Sequence, residues 1–211
     1  MGTQTPEPAW RSVSKAEDIE VRDYDPMIVA EVTVEGERYT AIKAGFRILA
    51  GYIFGGNTAQ AKISMTAPVT QEAAEENSQK IPMTAPVIQE ASENQNEWKV
   101  QFVMPAEFTR ASLPKPKDDQ IRFLEIPSYR AAVIRFSGFN TDDNLSRHLQ
   151  KLTAWLEKNN IHPRGLPVYA FYNPPWTLPF LRRNEIIIKI QKDRTLPFPS
   201  DSSGRTKDGP Q

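Results

Sequence analysis

Short segments of the chain alternate between apolar and polar residues, which is typical of strands that bury one face. The clearest is 98–104, where every second residue is large and apolar. Stretches 27–34 and 185–190 are rich in β-branched residues and predict two further strands. The stretches 73–79 and 91–96 are polar, so we expect them to form the loops of hairpins.

Two longer segments repeat their apolar residues at the spacing of a helix. The first predicts a helix over 38–54 that ends at Gly55 and Gly56, because helices commonly end where glycine adopts a left-handed conformation. The second predicts a helix over 142–159, with Thr141 as its N-cap. The buried stripe of this second helix is expected to consist of Leu145, Leu149, Leu152 and Leu156.

The order of these elements recurs along the chain. Residues 19–36 resemble residues 121–138, and a predicted helix and further strands follow in both halves. We therefore predict an α+β fold with two main helices. Its duplicated β-α-β-β units, over 19–118 and 121–190, are expected to form one curved antiparallel sheet or distorted barrel.

The two ends of the chain are rich in Pro, Ser and Gly and lack the apolar surface that a packed core needs. Residues 1–9 and 193–211 are therefore expected to be flexible tails of a single domain over 10–192. Apolar runs stay well short of about 18 residues, so no membrane span is expected. The first residues also lack the pattern of a signal peptide. We expect a soluble protein that is cytoplasmic, or exported with a leader that precedes this sequence.

Composition narrows the partners and the chemistry. The 26 basic and 26 acidic residues balance, which does not favour nucleic-acid binding. The chain has no cysteine, so disulfides, cysteine-ligated zinc and thiol nucleophiles are excluded. Motifs of serine hydrolases, zinc proteases and P-loop enzymes are also absent, so a binding role is favoured over a catalytic one. The composition leaves the oligomeric state open.

One phrase occurs twice, as KISMTAPVTQE at 62–72 and KIPMTAPVIQE at 80–90. In each copy Ile, Met, Ala and Val share a parity, which predicts a strand with one apolar face. We expect the two copies to be neighbouring strands, with Met65 and Met83 pointing to the same interior. Two interpretations stay open: the thioethers fill the core, or they line a pocket for a large, flat apolar ligand.

The doubled MTAPV, the stretch QFVMPAEFTRASLPKPKD at 101–118 and the stretch YNPPWTLPFLRRNEI at 172–186 resemble the SOUL haem-binding protein family. The resemblance covers roughly residues 10–191. It implies a duplicated α+β barrel related to bacterial effector-binding domains. It also implies non-covalent binding of haem or a related tetrapyrrole, as a carrier, buffer or sensor. Two alternatives are a module for another flat hydrophobic effector, and a tetrapyrrole-modifying or hydrolytic enzyme on the same barrel.

In this family the tetrapyrrole lies against the first helix and nearby strands. The resemblance therefore points to Lys43, Phe46 and Ala50 on the first helix, and to Tyr172 beside the Pro-Pro turn. Phe46 offers an apolar face to a macrocycle, and Lys43 offers a point charge to a propionate. Gly51 stands where some relatives carry a haem-contacting basic residue, so fewer cations are expected around the propionates.

The sequence contains no convincing axial ligand for a haem iron. Asp23 stands where some vertebrate members carry a histidine, and a carboxylate is a poorer haem ligand than imidazole. His148, on the second predicted helix, and His162, in a turn before Pro163, are weak candidates. Each of these histidines is more typical of a structural or solvated residue than of a ligand.

Two further groups of residues near the C-terminal end of the domain are candidates for a structural or a binding role. Arg182 and Arg183 followed by Glu185 predict either an ion-pair cluster at the start of a strand or an anion site for propionates. An aromatic group is expected to pack together near the Pro-Pro turn rather than to form a ligand cage. Its members are Tyr169, Tyr172 and Trp176.

Overall fold

A computed structural model of the chain describes residues 7–58, 78–91, 96–173 and 176–192. These residues form a nine-stranded antiparallel sheet, a two-stranded sheet and two α-helices. The helices are α1 (Arg38–Ile53) and α2 (Asp142–Lys158). The strands, in chain order, are β1 (Trp10–Ala16), β2 (Ile19–Tyr24), β3 (Met27–Glu35), β4 (Asn57–Thr58), β5 (Val87–Ala91), β6 (Glu97–Val103), β7 (Lys115–Pro116), β8 (Arg122–Ile126), β9 (Tyr129–Phe136), β10 (Val168–Phe171) and β11 (Asn184–Ile190).

The large sheet interleaves the two halves of the chain. Its order is β1-β2-β9-β11-β10-β5-β6-β3-β8, and β4 pairs with β7 separately. The first strand of each half pairs with the other half, β2 with β9 and β8 with β3, while β5 and β10 meet at the centre. A curled antiparallel sheet with two helices confirms the predicted α+β fold class. The order is symmetric about the β5–β10 pair, which is consistent with the predicted duplication; the duplication itself stays a prediction.

Local signals set the ends of both helices. The side chain of Glu37 accepts hydrogen bonds from the backbone N–H groups of Tyr39 (3.0 Å) and Thr40 (3.2 Å) at the start of α1. Thr141 caps α2 through its hydroxyl oxygen, as predicted. Beyond the end of α1, Gly55 has a φ of 117°, a backbone conformation that other residues rarely adopt. The capping chemistry therefore agrees with the bounds that the sequence predicts.

Both helices pack on one side of the large sheet, which we call the helix face. Residues directly opposite in neighbouring strands point to the same side, so the register carries this face from strand to strand. One row of the helix face consists of Ile134, Ile186, Tyr169, Gln89, Val100 and Val32. α1 packs over β3 and β6, and α2 packs over β9 and β11. The opposite, inner face carries a separate buried cluster that includes Tyr24, Val133 and Ile187.

α1 lies close to the sheet because Gly45 has no side chain. A Cβ atom at this position would lie 2.7 Å from Cγ2 of Val100, closer than packed carbon atoms allow. Around this contact, Leu49 and Tyr52 are fully buried. In α2 the predicted stripe is buried at Leu145, Leu152 and Leu156, whereas Leu149 is half-buried. Each buried leucine contributes about 2 kcal/mol to folding.

The second copy of the repeated phrase does not form the strand predicted for it. β5 begins only at Val87, and Met83, before it, is 39% exposed instead of facing an interior. The prolines of the phrase explain the difference, because they have no N–H group to donate to a neighbouring strand. Met65 and the rest of the first copy lie outside the described residues.

Residues 7–9, which the sequence assigns to the N-terminal tail, contact the domain. The carboxylate of Glu7 accepts hydrogen bonds from Nη1 of Arg183 at 2.9 Å. The carbonyl oxygen of Ala9 accepts a hydrogen bond from the N–H of Asp25 at 3.0 Å. The predicted tails at 1–6 and 193–211 lie outside the described residues.

Candidate functional site

The central strands β5 and β10 lie between the strands on which α1 and α2 pack. Their helix-face side chains form the floor of a groove between the helices, which we call the interhelical groove. The floor consists of Val87, Gln89, Tyr169 and Phe171, which pair across the two strands. Val87 packs with the apolar cluster under α1, whereas Tyr169 and Phe171 pack with the cluster under α2. The floor is therefore apolar apart from one amide and one phenol group.

The predicted residues of α1 form one wall of this groove. Phe46 is 38% exposed, and its ring lies edge-on to the ring of Phe102 on β6, with centroids 5.3 Å apart. Lys43 and Ala50 lie about one turn before and after Phe46, so helical spacing places all three on the same flank of α1. Tyr52 faces β8 on the opposite flank. The structure thus brings Lys43, Phe46 and Ala50 together on the flank toward β5.

The wall and the floor are joined by the buried ring of Phe102. Phe102 is directly opposite Val87 in the sheet, and Val87 is directly opposite Phe171. Phe46, Phe102, Val87 and Phe171 therefore follow one another from α1 to the centre of the sheet. The sequence prediction missed Val87 and Phe171, because only the register between strands from the two halves reveals that they are neighbours.

One end of the groove is bounded by an ion pair between the helices. Nε of Arg38, at the start of α1, lies 2.7 Å from Oδ1 of Asp142, at the start of α2. Arg38 also donates to the carbonyl oxygen of Asn140 at 3.0 Å. Burial raises the pKa of the nearby Tyr169 phenol, an effect that Arg38 opposes and Asp142 reinforces. Tyr169 is therefore neutral at physiological pH, and the two helix starts are tied together beside it.

Gln89 places a buried amide on the floor of the groove. Its side chain is only 2% exposed, and its Oε1 atom has no hydrogen-bond partner among the described residues. Buried polar atoms are nearly always paired, because an unpaired one costs about 1–3 kcal/mol. Gln89 thus carries an unpaired buried oxygen in a floor whose other polar group is the Tyr169 phenol, and the sequence alone does not reveal it.

Tyr172 lies on the other side of the sheet from α1. It packs with the inner-face cluster, and its hydroxyl donates to Oε2 of Glu185 at 2.7 Å. The guanidinium of Arg183 lies over its ring, 3.8 Å from the centroid. Burial raises the pKa of Tyr172, and the carboxylate of Glu185 raises it further. The structure therefore separates Tyr172 from Lys43, Phe46 and Ala50.

Glu185 is the centre of a charged network on the inner face. Its side chain is fully buried and accepts hydrogen bonds from Arg22 at 2.9 and 3.2 Å and from Arg183 at 3.0 Å. Arg22 also contacts Glu20 at 2.8 Å and lies over the ring of Trp10. The predicted ion pair of Arg183 with Glu185 is confirmed. Two guanidinium groups and one phenol satisfy the carboxylate, so its role is structural.

The predicted aromatic cluster near the Pro-Pro turn is wrong. Tyr169 lies on the helix face and Tyr172 on the inner face, because an odd separation along an extended chain points side chains to opposite sides. Trp176 is 84% exposed and packs with neither. Arg182, the neighbour of the predicted ion pair, lies over the ring of Phe139 instead.

The two histidines occupy different environments. His148 is half-buried on α2, where its ring stacks on Phe136 with centroids 4.0 Å apart. Its Nδ1 lies 2.7 Å from the carbonyl oxygen of Asn144, to which it donates. His162 is exposed. Among the described residues, no group of three or more His, Asp or Glu side chains is placed to hold a metal ion.

Asp23, at the position of a histidine in some relatives, is held by arginines. Its carboxylate accepts hydrogen bonds from Arg130 at 2.7 and 2.9 Å and from Arg11 at 3.1 Å. The hydrogen bonds from Arg130 are the main reason that the pKa of Asp23 lies below its usual range. Asp23 is on β2, five positions along the sheet from β6 and α1. This carboxylate is therefore remote from the wall that carries Phe46.

A second cavity lies on the other flank of α1. It has a volume of about 690 Å³, and Gly51 and Gly56 form part of its lining. Arg47, Lys117 and Asp118 also line it, together with Ile48 and Tyr52, so charged groups lie beside apolar ones. The two flanks of α1 thus differ: the interhelical groove offers aromatic and aliphatic surface, whereas this cavity offers mixed charge.

The family model and the similar proteins that this chain matches share the description heme-binding protein. The family model described as SOUL heme-binding protein matches residues 5–79 and 71–189. Heme-binding protein 2 from Mus musculus is 28% identical over 196 residues, covering 88% of this chain and 86% of the mouse protein. Heme-binding protein 2 from Homo sapiens is 28% identical over 193 residues, with the same shares covered.

A solved structure shares the fold. The crystal structure of the EcmrR C-terminal domain matches with a TM-score of 0.56 at 14% identity, covering 82% of this chain and 97% of that domain. At this level of identity the similarity concerns the fold alone. Within the described part of the chain, neither helix has the length and apolar character needed to cross a membrane.

Proposed function

The chain belongs to the SOUL heme-binding protein family, and from this membership we propose that it binds haem, or a closely related tetrapyrrole, reversibly in the interhelical groove. The family supplies the class of ligand. The proposed place is supported by the structure, because the α1 residues to which the resemblance points share one wall of that groove. When bound there, the tetrapyrrole supplies a flat aromatic surface and an iron centre.

The observation that carries the proposal is the apolar row of Phe46, Val87 and Phe171, which are exposed or half-buried and are joined beneath by the buried ring of Phe102. A macrocycle placed on this surface removes the exposed part of Phe46 from water. Burial of apolar area contributes about 25 cal/mol per Å², so an aromatic surface of this kind stabilises a flat ligand without a covalent bond.

The polar groups around the groove orient the ligand. Lys43 is exposed on the same flank of α1 as Phe46, and its ammonium group suits a propionate. Arg38 is already paired with Asp142 and therefore offers less to an anion. Met83, which is exposed before β5, is proposed as a thioether contact. We place Tyr172 outside this surface, because its hydroxyl is bonded to Glu185.

Binding in this proposal does not depend on a histidine ligand to the iron. His148 stacks on Phe136 and donates from Nδ1, and Asp23 is bonded to Arg130. The side chains of His148 and Asp23 therefore already have partners within the fold. We expect the affinity to come mainly from contact between the macrocycle and the apolar surface, with Lys43 positioning a propionate.

A spectral titration with haemin tests the proposal. We expect a saturable absorption change with the parent chain and an affinity lower by at least about tenfold for Phe46→Asp, because a charge against the macrocycle is costly. The matched control is Leu124→Asp, since Leu124 is 37% exposed, like Phe46, but lies on the edge strand β8 opposite Val29 of the inner-face cluster. Equal affinities for Phe46→Asp and the parent would place haemin elsewhere.

Two further experiments test whether a histidine ligates the haem iron and whether the protein converts the bound pigment. The double variant His148→Gln, His162→Gln is expected to keep most of the absorption change. Complete loss in that variant, with the circular dichroism spectrum retained, would show that iron ligation is essential. The bound pigment is expected to remain unchanged over hours and to pass to an apo-globin acceptor, as a carrier or buffer requires. Steady conversion of the pigment would instead indicate an enzyme.

A further inference from the structure

The segment between β10 and β11 presents large apolar side chains to solvent. Trp176 is 84% exposed, Phe180 69% and Leu181 62%, and Leu178 is also exposed. Phe139, from the β9–α2 connection, is 57% exposed and lies beside this segment, because the guanidinium of Arg182 lies over its ring at 5.0 Å. We call these five apolar residues the apolar loop patch.

Hydrogen bonds hold the patch in this outward arrangement. The N–H of Gly138 donates to the carbonyl oxygen of Pro179 at 2.8 Å, which joins the two connections. Nδ2 of Asn184 donates to the carbonyl oxygen of Gly138 at 3.0 Å, and Nε of Arg182 donates to that of Thr177 at 2.8 Å. A short 3-10 helix over Pro179–Leu181 fixes the turn itself. The backbone of this segment is therefore held by hydrogen bonds while its apolar side chains point to solvent.

The size and residue composition of the patch favour a lipid surface over a protein partner. Its exposed apolar area is about 600 Å², taking about 150–250 Å² for each aromatic side chain. That is at the upper end for a monomer surface, yet below the ~800 Å² per partner of a standard stable interface. The patch sits on a turn that contains a short 3-10 helix, and tryptophan beside leucine and phenylalanine is typical of side chains that enter the headgroup region of a bilayer.

The charges around the patch indicate whether it would prefer an anionic or a zwitterionic bilayer. Arg38 is paired with Asp142 at 2.7 Å, and Arg183 with Glu7 at 2.9 Å and Glu185 at 3.0 Å. Arg38 and Arg183 are neutralised by these carboxylates, and Arg182, within the segment, lies over the ring of Phe139 and donates to the carbonyl oxygen of Thr177, so anionic lipid gains little from these cations. We propose that the apolar loop patch is a peripheral membrane-binding surface that inserts into the headgroup region of zwitterionic phospholipid bilayers.

Flotation of the full chain with phosphatidylcholine vesicles tests this proposal. We expect the parent chain to float with the vesicles, and the double variant Trp176→Ser, Phe180→Ser to partition at least about tenfold less. The control Phe54→Ser removes an aromatic of similar exposure at the end of α1, and is expected to bind like the parent. Adding anionic lipid or raising the salt concentration is expected to change the parent's partitioning less than about threefold.

Bromine-labelled phosphatidylcholine locates the contact. Quenching of tryptophan fluorescence is expected in the parent chain and is expected to disappear in Trp176→Phe, which keeps the apolar surface and therefore keeps vesicle binding. The chain has four tryptophans, so the change in this single-residue variant identifies which of them meets the acyl chains. Unchanged quenching in Trp176→Phe would place the contact elsewhere.

Other outcomes would overturn the proposal. They are failure of the parent to float, equal loss in Phe54→Ser, and binding only to anionic vesicles. Self-association of the parent that disappears in Trp176→Ser, Phe180→Ser would identify a second copy of the chain as the occupant. The Phe46→Asp variant is expected to bind vesicles like the parent, so the haem proposal and the membrane proposal can fail separately. Circular dichroism of each variant confirms that it is folded.

Discussion

At the scale of single residues, the inner face is organised around one buried carboxylate. Glu185 is fully buried, and three side chains donate to it: Arg22, Arg183 and Tyr172. Removing one partner of a buried ion pair is more damaging than the net contribution of the pair suggests, because the other charge remains out of water. Arg22, which is 4% exposed, is the charge that would be left.

Glu185→Gln is therefore expected to lower the free energy of unfolding by about 2–3 kcal/mol, even though Arg22 keeps its contact with Glu20. Tyr172→Phe removes one hydrogen bond to the same carboxylate and is expected to cost only about 1 kcal/mol. Urea unfolding of both variants beside the parent gives these differences. A loss in Glu185→Gln no greater than in Tyr172→Phe would contradict the charged-network account.

The same Tyr172→Phe variant separates the two faces of the sheet. Tyr172 lies on the inner face, whereas the proposed ligand surface is on the helix face. Haemin affinity is therefore expected to stay within about twofold of the parent when only this hydroxyl is removed. A loss as large as that expected for Phe46→Asp would move the ligand to the inner face.

Replacing Gln89 is expected to stabilise the protein instead of destabilising it. Its Oε1 atom is buried, with no hydrogen-bond partner among the described residues. Replacing such a group with an apolar side chain of similar size removes an unmet desolvation cost. Gln89→Leu is expected to raise the free energy of unfolding by about 1 kcal/mol in thermal or urea unfolding of the unliganded chain. A destabilised Gln89→Leu protein would indicate that the amide has a partner beyond the described residues.

At the scale of elements, two glycines of α1 differ in what surrounds them. An added Cβ at Gly45 would meet Val100 at 2.7 Å, whereas an added Cβ at Gly51 would meet nothing within 4 Å. Gly45→Ala must therefore lift α1 from the sheet, and is expected to cost about 1–3 kcal/mol. Gly51→Ala keeps α1 in place and is expected to stabilise the chain by about 0.5–1 kcal/mol, because alanine favours the helix.

These two variants also test the wall of the interhelical groove. Lifting α1 displaces Phe46 from Phe102, so Gly45→Ala is expected to weaken haemin binding as well as folding. Gly51→Ala serves as the matched control, and its haemin affinity is expected to equal that of the parent. Thermal unfolding and haemin titration of both proteins provide the comparison. Equal stability in the two variants would mean that the close approach of α1 contributes nothing.

Local signals made most elements predictable from the sequence. α1 and α2 end within one residue of their predicted bounds, because Gly55, Thr141 and the leucine spacing act through neighbouring residues. The strands predicted over 98–104 and 185–190 were also found, since alternation and β-branched residues are visible in a single segment. The α1 wall followed from the resemblance together with this helical spacing.

The pairing of the strands was not predictable in the same way. β2 pairs with β9 and β8 with β3, so the sheet exchanges strands between the halves, and no local signal specifies such distant partners. Val87 and Phe171 become neighbours only through this register. Tyr172 was grouped with α1 because of its resemblance to a family motif, but strand alternation turns its side chain to the other face.

At the scale of the whole molecule, buried tyrosines give the fold a defined response to alkaline pH. Burial raises the pKa of Tyr24 to about 12 and is also the main cause of the raised pKa of Tyr52, Tyr129 and Tyr172. Tyr24 and Tyr129 stack with ring centroids 4.9 Å apart on the inner face, whereas Tyr52, on α1, packs against the helix face. The effect therefore involves both faces of the sheet.

The sign of the response follows from proton linkage. An unfolded tyrosine ionises near pH 10, whereas these folded tyrosines keep their protons to higher pH. Their contribution to stability is fully present below about pH 10 and is lost as the pH rises through the folded values. For Tyr24 alone, the loss is on the order of 2 kcal/mol by pH 12. The urea concentration at the unfolding midpoint is expected to fall steeply between pH 8 and pH 11 for the parent, and to fall less for Tyr129→Phe.

The control is Tyr39→Phe. Its unfolding midpoint is expected to fall as much as that of the parent, because the Tyr39 ring is 65% exposed and meets water in both states. Parallel curves for the parent and Tyr129→Phe would show that alkaline unfolding has another cause.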